Sequence, residues 1–139
     1  MSTERTEEQT VSCTVTGRVA WVKFNRPEKR NAMSPQLNRQ MMRVLDDLEF
    51  RDDVGVVLLA GEGTAWTAGM DLKEYFREND GKGRAAVLKS RRQSGGWWNR
   101  LMYFEKPTIA MVNGWCFGGA FTPLVACDLA VAADEATFG

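Results

Sequence analysis

Two stretches of this chain, TAWTAGMDL (64–72) and NGWCFGGAF (113–121), set glycine just behind an apolar run and just ahead of an apparent helix start. Helix starts leave N–H groups without intrahelical acceptors, and glycine lets another group approach them closely. Two such turns can each aim one N–H at a single carbonyl oxygen, the arrangement of an oxyanion hole. Each donor of that kind is worth about 3–4 kcal/mol in a transition state. Plain strand–helix packing would use glycine in the same places, and on spacing alone that is the commoner reason. Nucleotide phosphates fit less well, because neither turn reads GxGxxG and GGA lacks the Lys and hydroxyl of a P-loop.

Other chemistries are narrowed by composition. The 139 residues contain no histidine, which removes Ser–His–Asp and Cys–His catalysis and the commonest metal ligand from them. Cys13, Cys116 and Cys127 lie in apolar stretches without CxxC spacing, so buried free thiols are expected rather than a disulfide or zinc site. Eighteen basic residues balance eighteen acidic ones, and a neutral chain has no global field to gather nucleic acid or a membrane surface. Lys89, Arg91 and Arg92 beside Trp97 and Trp98 could stack single-stranded nucleic acid, but with no net charge they read as a solvated helix face. The start of the chain is polar and acidic, and no apolar run approaches membrane-spanning length. A cytoplasmic protein without nucleic-acid or membrane partners is the expectation.

The elements that must carry the two turns follow from apolar periodicity. VSCTV (11–15) and VAWVKF (19–24) around Gly17 predict a hairpin, broken by Pro27. Ser34-Pro35 supplies a hydroxyl N-cap with Pro at the first helical position, and Leu37, Met41, Val44, Leu45 and Leu48 follow at helical spacing. VGVVLLA (54–60), TIAMV (108–112) and DLAVAAD (128–134) are continuous apolar runs of the kind that form buried parallel strands. A short helix is expected near Asp71. Residues 80–104 mix loop and helix, with Gly95-Gly96 as a break and Pro107 as the end. Trp66 and Trp115 flank the two turns, where they can wall an aromatic pocket or, more economically, pack in the core. Strands alternating with helices predict a parallel sheet covered by helices, about one domain in size.

NRPEKRNAMS, AWTAGMDL and NGWCFGGA together resemble the crotonase (enoyl-CoA hydratase/isomerase) superfamily, from about Gly17 to Gly139. GMDLKEYFRE, and NGWCFGG followed by PLVACDLA, are similar to its branch of hydroxycinnamoyl-CoA hydratase-lyases. The resemblance implies an α/β fold, a crotonase-type spiral of repeated strand–strand–helix units. It is expected to be incomplete here, with residues 1–139 the N-terminal portion of a single catalytic domain truncated at Gly139.

The same resemblance implies that the backbone N–H groups of Met70 and Gly119 form the hole for an acyl-CoA thioester carbonyl. It puts Lys29 near the CoA phosphates or adenine, and Ala68, Asp71 and Leu72 along the adenine and pantetheine channel. Gly69, Gly118 and Ala120 belong to the same binding turns. Read without it, Lys29 is a solvated lysine and Asp71 a charge favoured at a helix N-terminus. Tyr75 lies one helical turn from Asp71; the resemblance implies that it holds a substrate's para-hydroxyl, and an amphipathic surface tyrosine is the open alternative. Ala120 departs from the branch's glycine and adds a methyl to the turn. Thr122 stands where the superfamily's hydratases carry a glutamate. Threonine can order a water but cannot take its proton near neutral pH, so a site with one carboxylate is implied, placed past Gly139.

The activity implied is hydration of 4-hydroxycinnamoyl-CoA thioesters such as feruloyl- and p-coumaroyl-CoA, then retro-aldol cleavage to an aromatic aldehyde and acetyl-CoA. Another hydratase or isomerase reaction, or a non-catalytic acyl-CoA-binding fragment, stays open. No metal or redox cofactor is implied, since CoA is part of the substrate. At full length a homo-oligomer is expected, a trimer or pair of trimers. The 139 residues alone are expected to be inactive and prone to aggregate.

Overall fold

The computed structural model describes residues 7–94 and 96–139. β1 (Val11–Thr16) and β2 (Val19–Phe24) form the expected antiparallel hairpin, with Gly17 at the positive φ of 60° that its turn requires. After a 3₁₀ turn at Pro27–Lys29 comes α1 (Pro35–Glu49), whose first turn is capped by Ser34 Oγ accepting the Leu37 N–H at 3.1 Å. Its Leu37, Met41, Leu45 and Leu48 are fully buried against Phe24, Trp66 and Trp97, and Val44 is half-buried beside them. Burying each leucine contributes about 1.5–3 kcal/mol. The helical face read from the sequence is therefore the core face.

From there the chain winds as a spiral. β3 (Val56–Gly61) and β4 (Ala65–Thr67) lead into α2 (Leu72–Asn79), followed by α3 (Arg84–Ser94) and α4 (Gly96–Met102). β5 (Thr108–Val112) and β6 (Trp115–Cys116) lead through a 3₁₀ turn at Gly118–Ala120 into α5 (Phe121–Ala126). β7 (Leu129–Ala132) and β8 (Thr137–Phe138) begin a third winding. The first strand of each winding joins a five-stranded sheet ordered β1-β2-β3-β5-β7, and the second joins a three-stranded sheet ordered β4-β6-β8. Every pairing except β1–β2 is parallel. Asn113 ties two windings together: its Oδ1 accepts the Gly61 N–H at 3.0 Å and its Nδ2 donates to Gly61 O at 2.9 Å.

Three expectations need correction. The run 128–134 is a strand but not a buried one: β7 is the outer strand, with Leu129 62% and Val131 58% exposed. Cys13 is exposed, because β1 is the opposite edge of the same sheet, whereas Cys116 is buried and Cys127 half-buried. All three thiols are free. Trp66 is a core residue, its Nε1 donating to Leu59 O at 3.0 Å, but Trp115 is 41% exposed and carries the Arg30 guanidinium over its ring at 4.4 Å. Of the expected Gly95-Gly96 break, Gly95 lies outside the described residues, and Gly96 opens α4. Among the described residues no helix is long and apolar enough to cross a membrane.

Candidate active site

The two glycine-marked turns occupy equivalent places in successive windings. Ala68–Met70 follows β4 and Phe117–Gly119 follows β6, and the parallel pairing of those strands (Ala65 with Trp115, Thr67 with Cys116) lays the turns side by side. Their backbones touch. A Cβ on Gly69 would lie 2.5 Å from Phe117 O and 3.0 Å from the Gly119 nitrogen, and one on Gly119 would lie 3.4 Å from the Met70 nitrogen. Gly69 (φ 91°) and Gly118 (φ 54°), each immediately before a candidate donor, take left-handed conformations that L side chains resist. Among the described residues, neither the Met70 nor the Gly119 N–H has a protein acceptor.

A polar frame fixes the first turn. The Met33 N–H donates to Gly69 O at 2.7 Å, the Asp71 N–H to Met33 O at 3.0 Å, and the Ala68 N–H to Arg30 O at 2.9 Å. Thr67 Oγ1 accepts the Gly69 N–H at 3.2 Å and donates to Asn31 O at 2.7 Å. Buried Asn31 in turn donates to Glu62 O and Ala65 O at 2.8 and 2.9 Å and accepts the Arg26 N–H at 2.8 Å. Arg30 and Asn31 both hold positive φ, 49° and 57°, a strain that this network sustains.

Asp71 completes the frame. It is the N-cap of α2, its Oδ1 accepting the Glu74 N–H at 3.0 Å, and its Oδ2 pairs with Arg26 Nη1 at 3.0 Å. Burial pushes its pKa up, but the Glu74 N–H, Arg26 and the more distant Lys29 outweigh that and hold it below the ordinary carboxylate value. The Arg26 pairing joins residues 45 apart and has no signal in the sequence.

The second turn relies on packing. Ala120 is fully buried at φ −61° and ψ −26°, its N–H donating to Phe117 O at 3.0 Å, so the extra methyl sits within the core in an ordinary helical conformation. α5 has no side-chain cap. The Gly118 N–H donates to Gly139 O at 2.8 Å.

A cleft of about 390 Å³ opens on both turns, within the usual size of a small-molecule site. It is lined by Met70, Gly119, Thr122, Leu72 and Tyr75, and also by Phe76, Arg91 and Trp98. Lys29, Ala68, Gly69, Asp71, Gly118 and Ala120 do not line it. Lys29 is exposed, Ala68 half-buried, and the others stand in or behind the turns. Phe76, Arg91 and Trp98 were not legible as cleft residues. Arg91, read from sequence as part of a solvated face, is indeed exposed but also reaches the cleft.

The arrangement leaves two backbone N–H groups without protein acceptors beside an apolar and aromatic groove. Among the described residues its lining contains no carboxylate and no thiol. Burial pushes the Cys127 thiol up to about 12 and raises Cys116 as well, so neither is an activated nucleophile. Among the described residues no three metal-ligating side chains gather.

Residues 14–139 match the family model described as enoyl-CoA hydratase/isomerase. Over its whole length the chain is 59% identical to a hydroxycinnamoyl-CoA hydratase-lyase of Pseudomonas fluorescens, 51% of which it covers. Over 92% of its length it is 38% identical to a 4-chlorobenzoyl coenzyme A dehalogenase of an Arthrobacter species, covering 46% of that protein. The fold superposes on the crystal structure of an enoyl-CoA hydratase/isomerase from Xanthobacter autotrophicus Py2 with a TM-score of 0.85 at 32% identity, over 94% of this chain and 48% of that one. An enoyl-CoA hydratase from Shewanella pealeana gives the same score at 30% identity, over 93% and 48%. The chain thus spans about half the length of the curated relatives it matches.

Proposed function

This chain belongs to the enoyl-CoA hydratase/isomerase family, and on that premise we propose that it carries the oxyanion-hole half of an enzyme that hydrates 4-hydroxycinnamoyl-CoA thioesters and then cleaves them. The observation that carries the reading is the pair of acceptor-free N–H groups, Met70 and Gly119, meeting at an aromatic-walled cleft. The 59% identity to a named hydratase-lyase supports the choice of substrate class.

In this reading the thioester oxygen lies between the two donors. Water adds at the β-carbon, the electron pair moves to the thioester oxygen as an enolate, and protonation at the α-carbon gives a β-hydroxy thioester. Removing the β-hydroxyl proton then breaks the bond between the α- and β-carbons. The aldehyde departs, and the electrons return to the same oxygen as the enolate of acetyl-CoA, which is protonated to finish the reaction. One hole serves both steps, because both pass through a negative charge on one atom. Lys29, Ala68 and Leu72 lie along the CoA handle, Tyr75 holds the ring's para-oxygen, and Thr122 orders the water. The carboxylate that moves the protons is supplied from outside residues 1–139. CoA enters as part of the substrate, and the steps as written balance without a metal or redox group.

Thr122 in place of a glutamate favours this reading over simple two-carboxylate hydration. Incubating the full-length protein with feruloyl-CoA and analysing products by mass spectrometry tests it. Aldehyde with acetyl-CoA is the expected result; accumulation of the β-hydroxy thioester would mark a hydratase, and binding without turnover a non-catalytic module. The same reading carries a cytoplasmic homo-oligomer of trimeric type, checked by cell fractionation and light scattering.

A further inference from the structure

The two candidate donors are held from behind by different partners. In a planar trans peptide the C=O and the N–H point in opposite directions, so whatever holds one end of the unit aims the other. The Met70 N–H shares its peptide with Gly69 O, which accepts the Met33 N–H at 2.7 Å. The Met33 N–H in turn shares its peptide with Ala32 O, which accepts from Arg26 Nη1 at 2.6 Å. A hydrogen-bonded line thus runs from a guanidinium through two peptide units to the Met70 N–H, every link donating in the same direction. Behind the Gly119 N–H the partner is local: Gly118 O accepts the Phe121 N–H of the helix that follows. Arg26 is itself held firmly. Its side chain is 12% exposed, the same Nη1 pairs with Asp71 Oδ2 at 3.0 Å, and its backbone N–H donates to Asn31 Oδ1 at 2.8 Å. The Asp71 N–H donates to Met33 O at 3.0 Å, so Met33 bonds to both neighbours of Met70. Arg26 lines a polar groove with Ser34 and Glu74, not the cleft.

Resting on the oxyanion hole of the proposed function, we infer that Arg26 is a positioning residue for it: through Ala32 and Met33 it fixes and polarises the peptide that presents the Met70 N–H. A bond from an ionised donor is about twice as strong as a neutral one. Each bond in such a line strengthens the next by about 10–30%. Asp71 balances the guanidinium charge at close range, so Arg26 acts more by aiming the donor than by its field across the cleft. The demand on that donor grows as negative charge gathers on the thioester oxygen. The role of Arg26 therefore belongs to the chemical steps rather than to substrate binding.

The test uses the full-length protein saturated with 3-phenylpropionyl-CoA, which has no double bond to hydrate and carries an isotope label in its thioester carbonyl. Infrared difference spectra read how strongly the hole polarises that carbonyl. In the wild type the band should fall below that of the free thioester. In Arg26→Met about half of that displacement should be lost, and kcat with feruloyl-CoA should fall by about tenfold to thirtyfold, less than the roughly 10²–10³ for a deleted donor. KM should change less than about twofold. Arg26→Lys, which keeps a charged donor, should recover most of both losses. A folded Arg26→Met or Arg26→Gln protein, checked by circular dichroism, that keeps the wild-type displacement and kcat overturns the assignment. Failure of both variants to fold overturns it too, since Arg26 would then be a folding element only. A wild-type band that is not displaced removes the hole, and this inference with it. Aldehyde release from feruloyl-CoA judges the hydratase-lyase reading separately: a wild type that displaces the band but releases no aldehyde sinks that reading and leaves the role of Arg26 at the hole standing.

Discussion

The turn after β4 and the turn after β6 lie side by side at one cleft but have different supports. Residues 68–70 are held from outside by Met33, Arg30, Thr67 and Asn31, and the following helix is capped by Asp71. Among the described residues, 117–119 have no such side-chain frame; the helix behind them is uncapped, and the buried methyl of Ala120 seats the turn in the core. A polar frame needs many partners at exact distances, whereas packing needs small residues that fit. The first turn should therefore fail when its frame or its left-handed glycine is altered. The second should fail only when its N–H is lost or its space is filled.

The largest expected effect comes from Gly69→Ala in the full-length protein. Its methyl would meet backbone, 2.5 Å from Phe117 O and 3.0 Å from the Gly119 nitrogen, in a conformation that L residues resist. Turnover should fall by about 10²–10³, the cost of a lost hole donor, with a lower melting temperature. Retention of near-normal turnover would show that the turns need not touch. Gly119→Pro should match that loss of turnover because it deletes the second N–H, with circular dichroism confirming the fold.

Gly119→Ala sharpens the contrast between the turns. Its methyl would lie 3.0 Å from Met70 Cγ, the side chain of a flexible methionine that can move aside. A loss of about tenfold or less in kcat/KM is expected; a loss equal to that of Gly69→Ala would make the two turns equally rigid.

Asp71→Ala should lower stability by about 1–2 kcal/mol through the lost cap and the pairing with Arg26, read from the urea midpoint. Because the folded pKa of Asp71 is depressed, its contribution is fully present above the unfolded value near 4 and is lost as pH falls through the lower folded value. Asp71→Asn should accordingly flatten the acid limb of the stability–pH curve. An unchanged limb would mean that the Arg26 pairing contributes nothing.

The smallest effect is expected at Thr122, which lies on the cleft but outside both frames. Thr122→Ala should slow turnover by about threefold to tenfold, since a hydroxyl orders water without taking its proton. A drop beyond about 10³ would give Thr122 a proton-transfer role.

Local physics accounts for what the residues alone determined. The Ser34–Pro35 start, the buried face of α1, the hairpin at Gly17 and the strands at 56–61 and 108–112 each depend on neighbours within one element, and the periodicity of 2 or 3.6 records them. The two glycine turns were legible for the same reason, as was the family that their motifs resemble. Other features rest on pairings that no local window contains. Strands β4, β6 and β8 are two or three residues long, too short to show a period, yet their parallel register brings Gly69 against Gly119. Burial of an apolar run depends on what lies beside it, so LAVA in β7 reads like a core strand and stands at the sheet's edge. Trp66 and Trp115 occupy neighbouring strands of the small sheet, and only the surrounding packing makes one core and the other exposed. The cleft wall is the clearest case: Phe76 on α2, Arg91 on α3 and Trp98 on α4 reach it only because three helices pack over the two turns, and contacts set by helix packing leave no mark in the order of the residues.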